Sequence, residues 1–275
     1  MEHGDGQAFV PRPGVTKRRA GVKRNLDVIY CYDRMTAPAR AVPEKVRSRM
    51  PAPLNRNPEE LADVCRRYLR LYTGAIADML DKHGYRQQIL PHYIAPFTVA
   101  NRLAGLAFTC RGCPVSDPAN NDMPTRLAML DSLTSGTIAV WSCGGSLDCA
   151  HWGEIMSTAA RQRGCTGAVL DGGVRDLDFV NPMGFPVFAR YKSSATSIGR
   201  WEIQEYQAPV RIGDTVIHPG DFVFGDIDGV VIVPAEIVVD VLTAAEDLHS
   251  REGSMREELR RGVSIQEAYA KYGSL

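Results

Sequence analysis

The chain has no excess of charge of either sign, no long apolar run, and too few and too irregular cysteines to staple a fold. Lys+Arg and Asp+Glu both total 32, a formal net charge of zero, so no global field recruits nucleic acid or an acidic membrane. No stretch approaches the roughly 18 uninterrupted apolar residues of a membrane span. Residues 1–13 hold Glu2, Asp5, two glycines and two prolines, without the apolar centre of a secretory signal. The seven cysteines form an odd, scattered set, which suits reduced thiols in a reducing compartment. A soluble, cytoplasmic protein with neither a membrane nor a nucleic-acid partner is the expectation. Internal repeats and low-complexity tracts are missing too. What is present, 275 residues with 44% apolar composition, suffices for one globular domain of roughly 200 residues plus an extension.

Residues 1–56 read as that extension: an extended basic arm with 12 Lys/Arg against 5 Asp/Glu. Folded structure is expected over 57–275. Asn57-Pro58-Glu59-Glu60 is a helix start, with Asn as cap, Pro at the first helical position and Glu60 closing a capping box. Leu61, Val64, Tyr68 and Leu71 follow at helical spacing. A second helix runs from Thr73 to the stop at Gly84, with Ala75, Ile76, Met79 and Leu80 inward. Short apolar runs then alternate with helical patterns: strands over 105–109, 137–141, 167–170 and 186–189, helices over 125–133 and 153–163. Such alternation predicts an α/β core. Over 209–234, apolar pairs interrupted by Gly213-Asp214, Pro219-Gly220 and Asp228-Gly229 predict antiparallel hairpins. A charged helix over 236–261 is expected to close the chain.

The chemistry concentrates in two stretches. The first, Gly144 to Glu154, is a glycine-bearing loop that runs into a helix N-terminus near Gly153, where free amides and the helix dipole bind carboxylate or phosphate oxygens. The second is Asp171-Gly172-Gly173-Val174-Arg175-Asp176, at the carboxyl end of a strand, where open α/β sheets place ligands. An Arg fork grips a carboxylate at two points, and an adjacent Asp is a hard oxygen ligand for Mg²⁺. Spacing alone leaves an ordinary Arg175–Asp176 ion pair at a turn equally open.

The string "GEIMSTAARQRGCTGAVLDGGVRD", with Glu154 followed after twenty residues by Arg175-Asp176, resembles the 4-hydroxy-4-methyl-2-oxoglutarate aldolase family, which includes the ribonuclease activity regulator A (RraA) proteins. "LYTGAIADMLDKHG", "RLAGLAFTCRG", "GFPVFAR" and "VRIGDTVIHPGDFVFGDIDGVVIVP" extend the likeness over residues 70–260. The resemblance implies an α/β fold of the β/β/α swivelling type, a sandwich of mixed sheets with flanking helices. It implies homotrimers or hexamers with sites between subunits. The implied activity is a Mg²⁺- or Mn²⁺-dependent carbon–carbon lyase, an aldolase or oxaloacetate decarboxylase, acting on small 2-oxo acids through a pyruvate enolate.

Carried over by position, the amides of Gly153, Glu154, Ile155 and Met156 hold the substrate carboxylate, and Arg175 grips carboxylate and keto oxygen. Asp176 ligates the metal, and Glu154, where many relatives carry Asp, orients metal-bound waters. The family's further acidic residue from a neighbouring subunit has no discriminating pattern among Glu236, Asp240, Glu246, Asp247 and Glu252. Two other readings stand beside the lyase. One is a non-enzymatic regulator that binds a ribonuclease; the other is a different reaction on a carboxylated substrate at the same site.

Remaining candidates have weaker patterns. Cys110 and Cys113 have CxxC spacing without the second pair of a zinc site. Cys149 and His151, two apart in a loop, need not converge as a nucleophile–base pair. Lys192 and His218 read as surface residues, and Asp226 and Asp228 as turn formers.

Overall fold

Asn57 opens the region that the computed structural model describes, residues 57–273 apart from Pro118; the arm expected over 1–56 lies outside it. The Asn57 side chain accepts from the amides of Glu59 (3.1 Å) and Glu60 (3.3 Å) and so caps α1, Pro58–Tyr68. Glu60 enters the cap through its amide. The second helix, α2 (Thr73–Lys82), ends ahead of Gly84, which takes a left-handed φ of 84°. Its cap comes from across the fold. The buried Asp226 carboxylate accepts from the Thr73 amide and hydroxyl, both at 2.8 Å. Asp226 also accepts from the Asp228 amide at 3.0 Å, so it combines the expected turn role with a long-range one.

The strands and helices that follow are β1 (Ala95–Pro96), β2 (Leu103–Pro114), α3 (Met123–Asp131), β3 (Thr137–Ser142), β4 (Ala150–Trp152), α4 (Glu154–Gln162), β5 (Gly167–Leu170), β6 (Gly173–Val174) and α5 (Leu177–Val180). Then come β7 (Val187–Ala189), β8 (Tyr191–Lys192), β9 (Trp201–Tyr206), β10 (Val210–Ile212), β11 (Thr215–Ile217), β12 (Phe222–Asp226), β13 (Gly229–Val233), α6 (Val238–Arg260) and α7 (Ile265–Tyr272). The main sheet has the order β1-β7-β5-β3-β2-β12-β13, with β9 also paired to β2. Its central pairs β2–β3, β3–β5 and β5–β7 are parallel, and its flanks are antiparallel. This is the mixed α/β architecture with flanking helices that the resemblance implied.

Both faces of the main sheet are covered, which is why its strands read as unbroken apolar runs rather than alternating ones. In β3, Ala139 and Trp141 face a core shared with α3 and α4, while Ile138 and Val140 face one shared with the β10–β11 hairpin. A third core joins α1, α2 and α6 to Phe222, Phe224, Val231 and Val233. The hairpins over 209–234 form as expected, β10 with β11 and β12 with β13.

Three elements depart from the sequence reading. Strand β2 runs to Pro114, because its later half pairs with the unexpected β9 past a bulge at Arg111–Gly112. The helix α6 does not close the chain: α7 follows, with a capping box between Ser264 and Glu267. Finally, β4, β6 and β8 form a separate parallel sheet, and the candidate site residues follow directly on β4 and β6. No helix among the described residues is long and apolar enough to cross a membrane.

Candidate active site

Strand β5 ends at Leu170, and Arg175 emerges from β6 rather than from the main sheet as the sequence suggested. The Arg175 amide donates to the Trp152 carbonyl at 3.1 Å, which ties the end of β6 to the end of β4. A Cβ at Gly173 would lie 2.5 Å from the Cys149 carbonyl, so this close approach of the two strands requires glycine. Pairing β4 with β6 brings Gly153, the N-cap of α4, against Arg175 and Asp176.

Arg175 Nε lies 3.3 Å from Asp176 Oδ2, with about 40% of each side chain exposed. The same oxygen accepts from the Glu154 amide at 3.4 Å. Asp176 holds this position with φ 61° and ψ 31°, a left-handed conformation that costs an L-residue on the order of 1 kcal/mol. Strain kept in a half-exposed carboxylate points to a use for it. The first intrahelical bond of α4 runs from the Ser157 amide to Gly153 at 3.0 Å, so the amides of Ile155 and Met156 have no acceptor within the helix. Glu154 turns along its own helix and accepts from the Thr158 hydroxyl at 2.8 Å. Gly153, Glu154, Ile155, Met156, Arg175 and Asp176 thus come together.

Arg175 and Asp176 line two cavities. One, of about 540 Å³, includes Asp178, Phe179 and Lys192; the other, of about 280 Å³, includes Gly153 to Met156 together with Arg126 and Leu127. Lys192 is exposed as expected, and its ammonium lies 5.7 Å from the centre of the Phe97 ring.

Gly153 has a second role. A Cβ there would sit 2.5 Å from Asp176 Oδ2. Gly153→Ala is therefore expected to push the carboxylate aside. Stability should fall by about 1 kcal/mol, since Ala is a distinctly poorer N-cap than Gly. Activity should fall roughly tenfold, as when a supporting group of a metal site is lost. Thermal melting and steady-state rates on one preparation separate the two effects.

Sequence reasoning missed the support beneath this surface. Arg126, on the inner face of α3, pairs with Asp122 at 2.9 Å with both side chains nearly fully buried. Its guanidinium lies 5.6 Å from the ring centres of both Trp141 and Trp201 and donates to the His151 carbonyl at 3.3 Å. The readable signal was a charge pair at i and i+4 on the same face as buried Met129 and Leu130.

The Cys149–His151 expectation also needs correction. The chain is extended here, so residues two apart share a side, and Cys149 Sγ lies 3.6 Å from His151 Nε2. Burial raises the Cys149 pKa, keeping it a thiol rather than a nucleophilic thiolate. His151 Nδ1 accepts from the Gly173 amide at 3.0 Å, which makes it a strap between β4 and β6.

Burial, aided by Arg126, lowers the His151 pKa from 6.5 to about 4. The unfolded chain therefore binds this proton first as pH falls. The stability it contributes is complete above pH 6.5 and declines down to about pH 4, by roughly 3 kcal/mol from this group. Urea midpoints at pH 7 and pH 4.5 for the wild type and His151→Asn test this; the variant should lose less on acidification.

Among the described residues no three His, Cys, Asp or Glu side chains converge on a common point, and this includes the Cys110–Cys113 segment. A cation held by one carboxylate and several waters needs no such convergence. The Asp176 carboxylate, half-exposed and given room by Gly153, fits it.

The profile of the RraA-like family, described as Aldolase/RraA, matches residues 73–232. The chain belongs to this family. A Halalkalibacterium halodurans protein provisionally named 4-hydroxy-4-methyl-2-oxoglutarate aldolase is 26% identical over 75% of this chain and 93% of its own length. A crystal structure described as one of novel cellulases from microbes of the gut ecosystem is 34% identical, aligning 78% of this chain and 96% of that one at a TM-score of 0.69. The Legionella pneumophila protein DlpA is 22% identical over 78% of this chain, which spans only 34% of DlpA's length.

Proposed function

We propose that the chain is a divalent-metal-dependent carbon–carbon lyase that releases pyruvate from a 2-oxo acid, by retro-aldol cleavage of a 4-hydroxy-2-oxo acid or decarboxylation of oxaloacetate. The observation that carries this reading is the meeting of Arg175, Asp176 and the free amides of α4 around one exposed spot. Aldolase-named relatives support it.

The amides of Ile155 and Met156, with Gly153 and Glu154 framing the turn, bind the substrate carboxylate. Arg175 spans that carboxylate and the keto oxygen, and orients them in one plane. Asp176 would hold Mg²⁺ or Mn²⁺, which when bound supplies Lewis acidity to the keto oxygen as negative charge grows there. In the aldol substrate the C3–C4 bond breaks with its electron pair kept at C3. The C4 hydroxyl loses its proton as a carbonyl forms, and C3 gains one. Glu154, fixed by Thr158, positions the water that takes up and returns these protons. Arg175 is the chain's own charge opposite the developing oxyanion.

The test is pyruvate release, measured with a coupled dehydrogenase, from a 4-hydroxy-2-oxo acid and from oxaloacetate. Activity should vanish on EDTA treatment and return with added Mg²⁺ or Mn²⁺. Turnover indifferent to chelation, or no pyruvate from either substrate, would contradict the reading.

A further inference from the structure

We infer that Arg126 is a positioning residue: it fixes the place of the first turn of α4, and with it the Ile155 and Met156 amides that receive the substrate carboxylate. This rests on the lyase reading above and deepens it.

The first turn of α4 takes its direction from outside. Its cap, Gly153, brings no side-chain hydrogen bond to the helix, and β4, which delivers it, is three residues long. Trp152 Nε1 donates to Ser157 Oγ at 2.8 Å, and Ser157 Oγ donates to the Gly153 carbonyl at 2.9 Å. These two bonds make β4 and the start of α4 one unit. On one side β6 holds that unit, through the Gly173 amide on His151 Nδ1 and the Arg175 amide on the Trp152 carbonyl.

Arg126 holds the other side. Its Nη1 donates to the His151 carbonyl at 3.3 Å and lies 3.9 Å from Met156 Sδ, so one nitrogen touches the chain both before and after the cap. Met156 is itself one of the two amide donors. The Nη2 of Arg126 donates to both Asp122 oxygens, at 2.9 and 3.2 Å. Asp122 Oδ2 in turn accepts from the Ile203 amide of β9 at 3.0 Å. The guanidinium lies 5.6 Å from the ring centres of Trp141 on β3 and Trp201 on β9. One planar fork thus ties β4 and α4 to two strands of the main sheet, a geometry that the single ammonium of Lys does not offer.

Amides that hold the carboxylate equally before and during cleavage are read in KM. A smaller folded fraction is read in apparent kcat instead. A shift of the amides on the order of 1 Å should cost roughly tenfold.

The experiment measures kcat and KM for pyruvate release by the full chain with Mg²⁺, from oxaloacetate and from 4-hydroxy-2-oxopentanoate, with thermal melting of each preparation. The variants are Asp122→Leu/Arg126→Met and Arg126→Lys. The double variant removes both buried charges together and should stay folded. Its KM should rise roughly tenfold, by a similar factor for both substrates because the head is what they share, with kcat within about twofold of the wild type. Arg126→Lys keeps the charge beside Asp122 without the second nitrogen, and its KM should stay raised by at least about threefold. If the double variant melts below the assay temperature, Arg126→Lys decides alone. A wild-type KM in the folded double variant, a loss confined to kcat, a rise for one substrate only, or full recovery in Arg126→Lys overturns the inference and leaves the lyase reading intact. No pyruvate from either substrate with the wild type overturns the lyase reading and this inference together.

Discussion

For the proposed lyase, Arg175→Ala is expected to lower kcat/KM for pyruvate release by about a thousandfold, the loss typical when a preorganised donor to a developing oxyanion is removed. Most of that loss appears in kcat, because the keto oxygen gains charge only on the way to cleavage, while the carboxylate keeps the amides of Ile155 and Met156. Arg175→Lys recovers part of the activity. It restores the charge without the planar fork that spans two oxygens. Neither variant should unfold the protein: the guanidinium is 40% exposed and its ion partner here is Asp176, an exposed pair worth at most about 1 kcal/mol. Steady-state kinetics with thermal melting on the same preparations checks both halves. A loss confined to KM would reduce Arg175 to uniform binding.

The second large effect is on stability. Asp122→Ala strands the Arg126 charge, a side chain only 6% exposed, beside Trp141 and Trp201. Breaking a buried pair from one side costs about 3–5 kcal/mol. The same substitution also removes the acceptor of the Ile203 amide, 3.0 Å from Asp122 Oδ2. The double variant Asp122→Leu/Arg126→Met removes both charges, and it should recover most of the lost stability, since apolar replacement of a buried pair is often neutral. Urea denaturation of the wild type, both singles and the double closes the cycle. A single Asp122→Ala change as mild as 1 kcal/mol would mean that Arg126 finds water or another acceptor.

The sequence was legible where local chemistry decides the structure. Asn57 before Pro58 marked a helix start, Gly84 a stop, and Gly213-Asp214 a hairpin, because caps and turns depend on neighbouring residues. Gly153 and the Arg175-Asp176 pair were legible as separate signals. Their meeting was not, because it depends on β4 and β6, strands of three and two residues that carry no period. β9, six residues long with Trp201 and Ile203 inward, was missed, and with it the extension of β2 that it pairs with. His151 looked like a loop residue until the extended chain and the Gly173 amide gave it a place. Asp226 looked like turn chemistry, and its second partner, Thr73, lies 153 residues away. Long-range partners leave no mark on spacing.

Several of the acidic residues over 236–252 have partners within the chain. Glu246 is bonded to Arg67 at 2.6 Å, and Glu252 to Arg256 at 3.3 Å as well as to the Tyr72 hydroxyl. Both carboxylates already serve to fasten α6 to itself and to the helices beneath it.

In the proposed function a 2-oxo acid head would be held jointly by Arg175, the α4 amides and a cation on Asp176. Calorimetric titration of oxalate, a planar dianion shaped like the enolate of pyruvate, probes that joint hold without relying on turnover. Oxalate should bind the Mg²⁺-loaded wild type at least tenfold more tightly than the chelated protein, and Asp176→Asn should abolish the difference. Oxalate affinity that is the same with and without Mg²⁺ in the wild type would contradict the account.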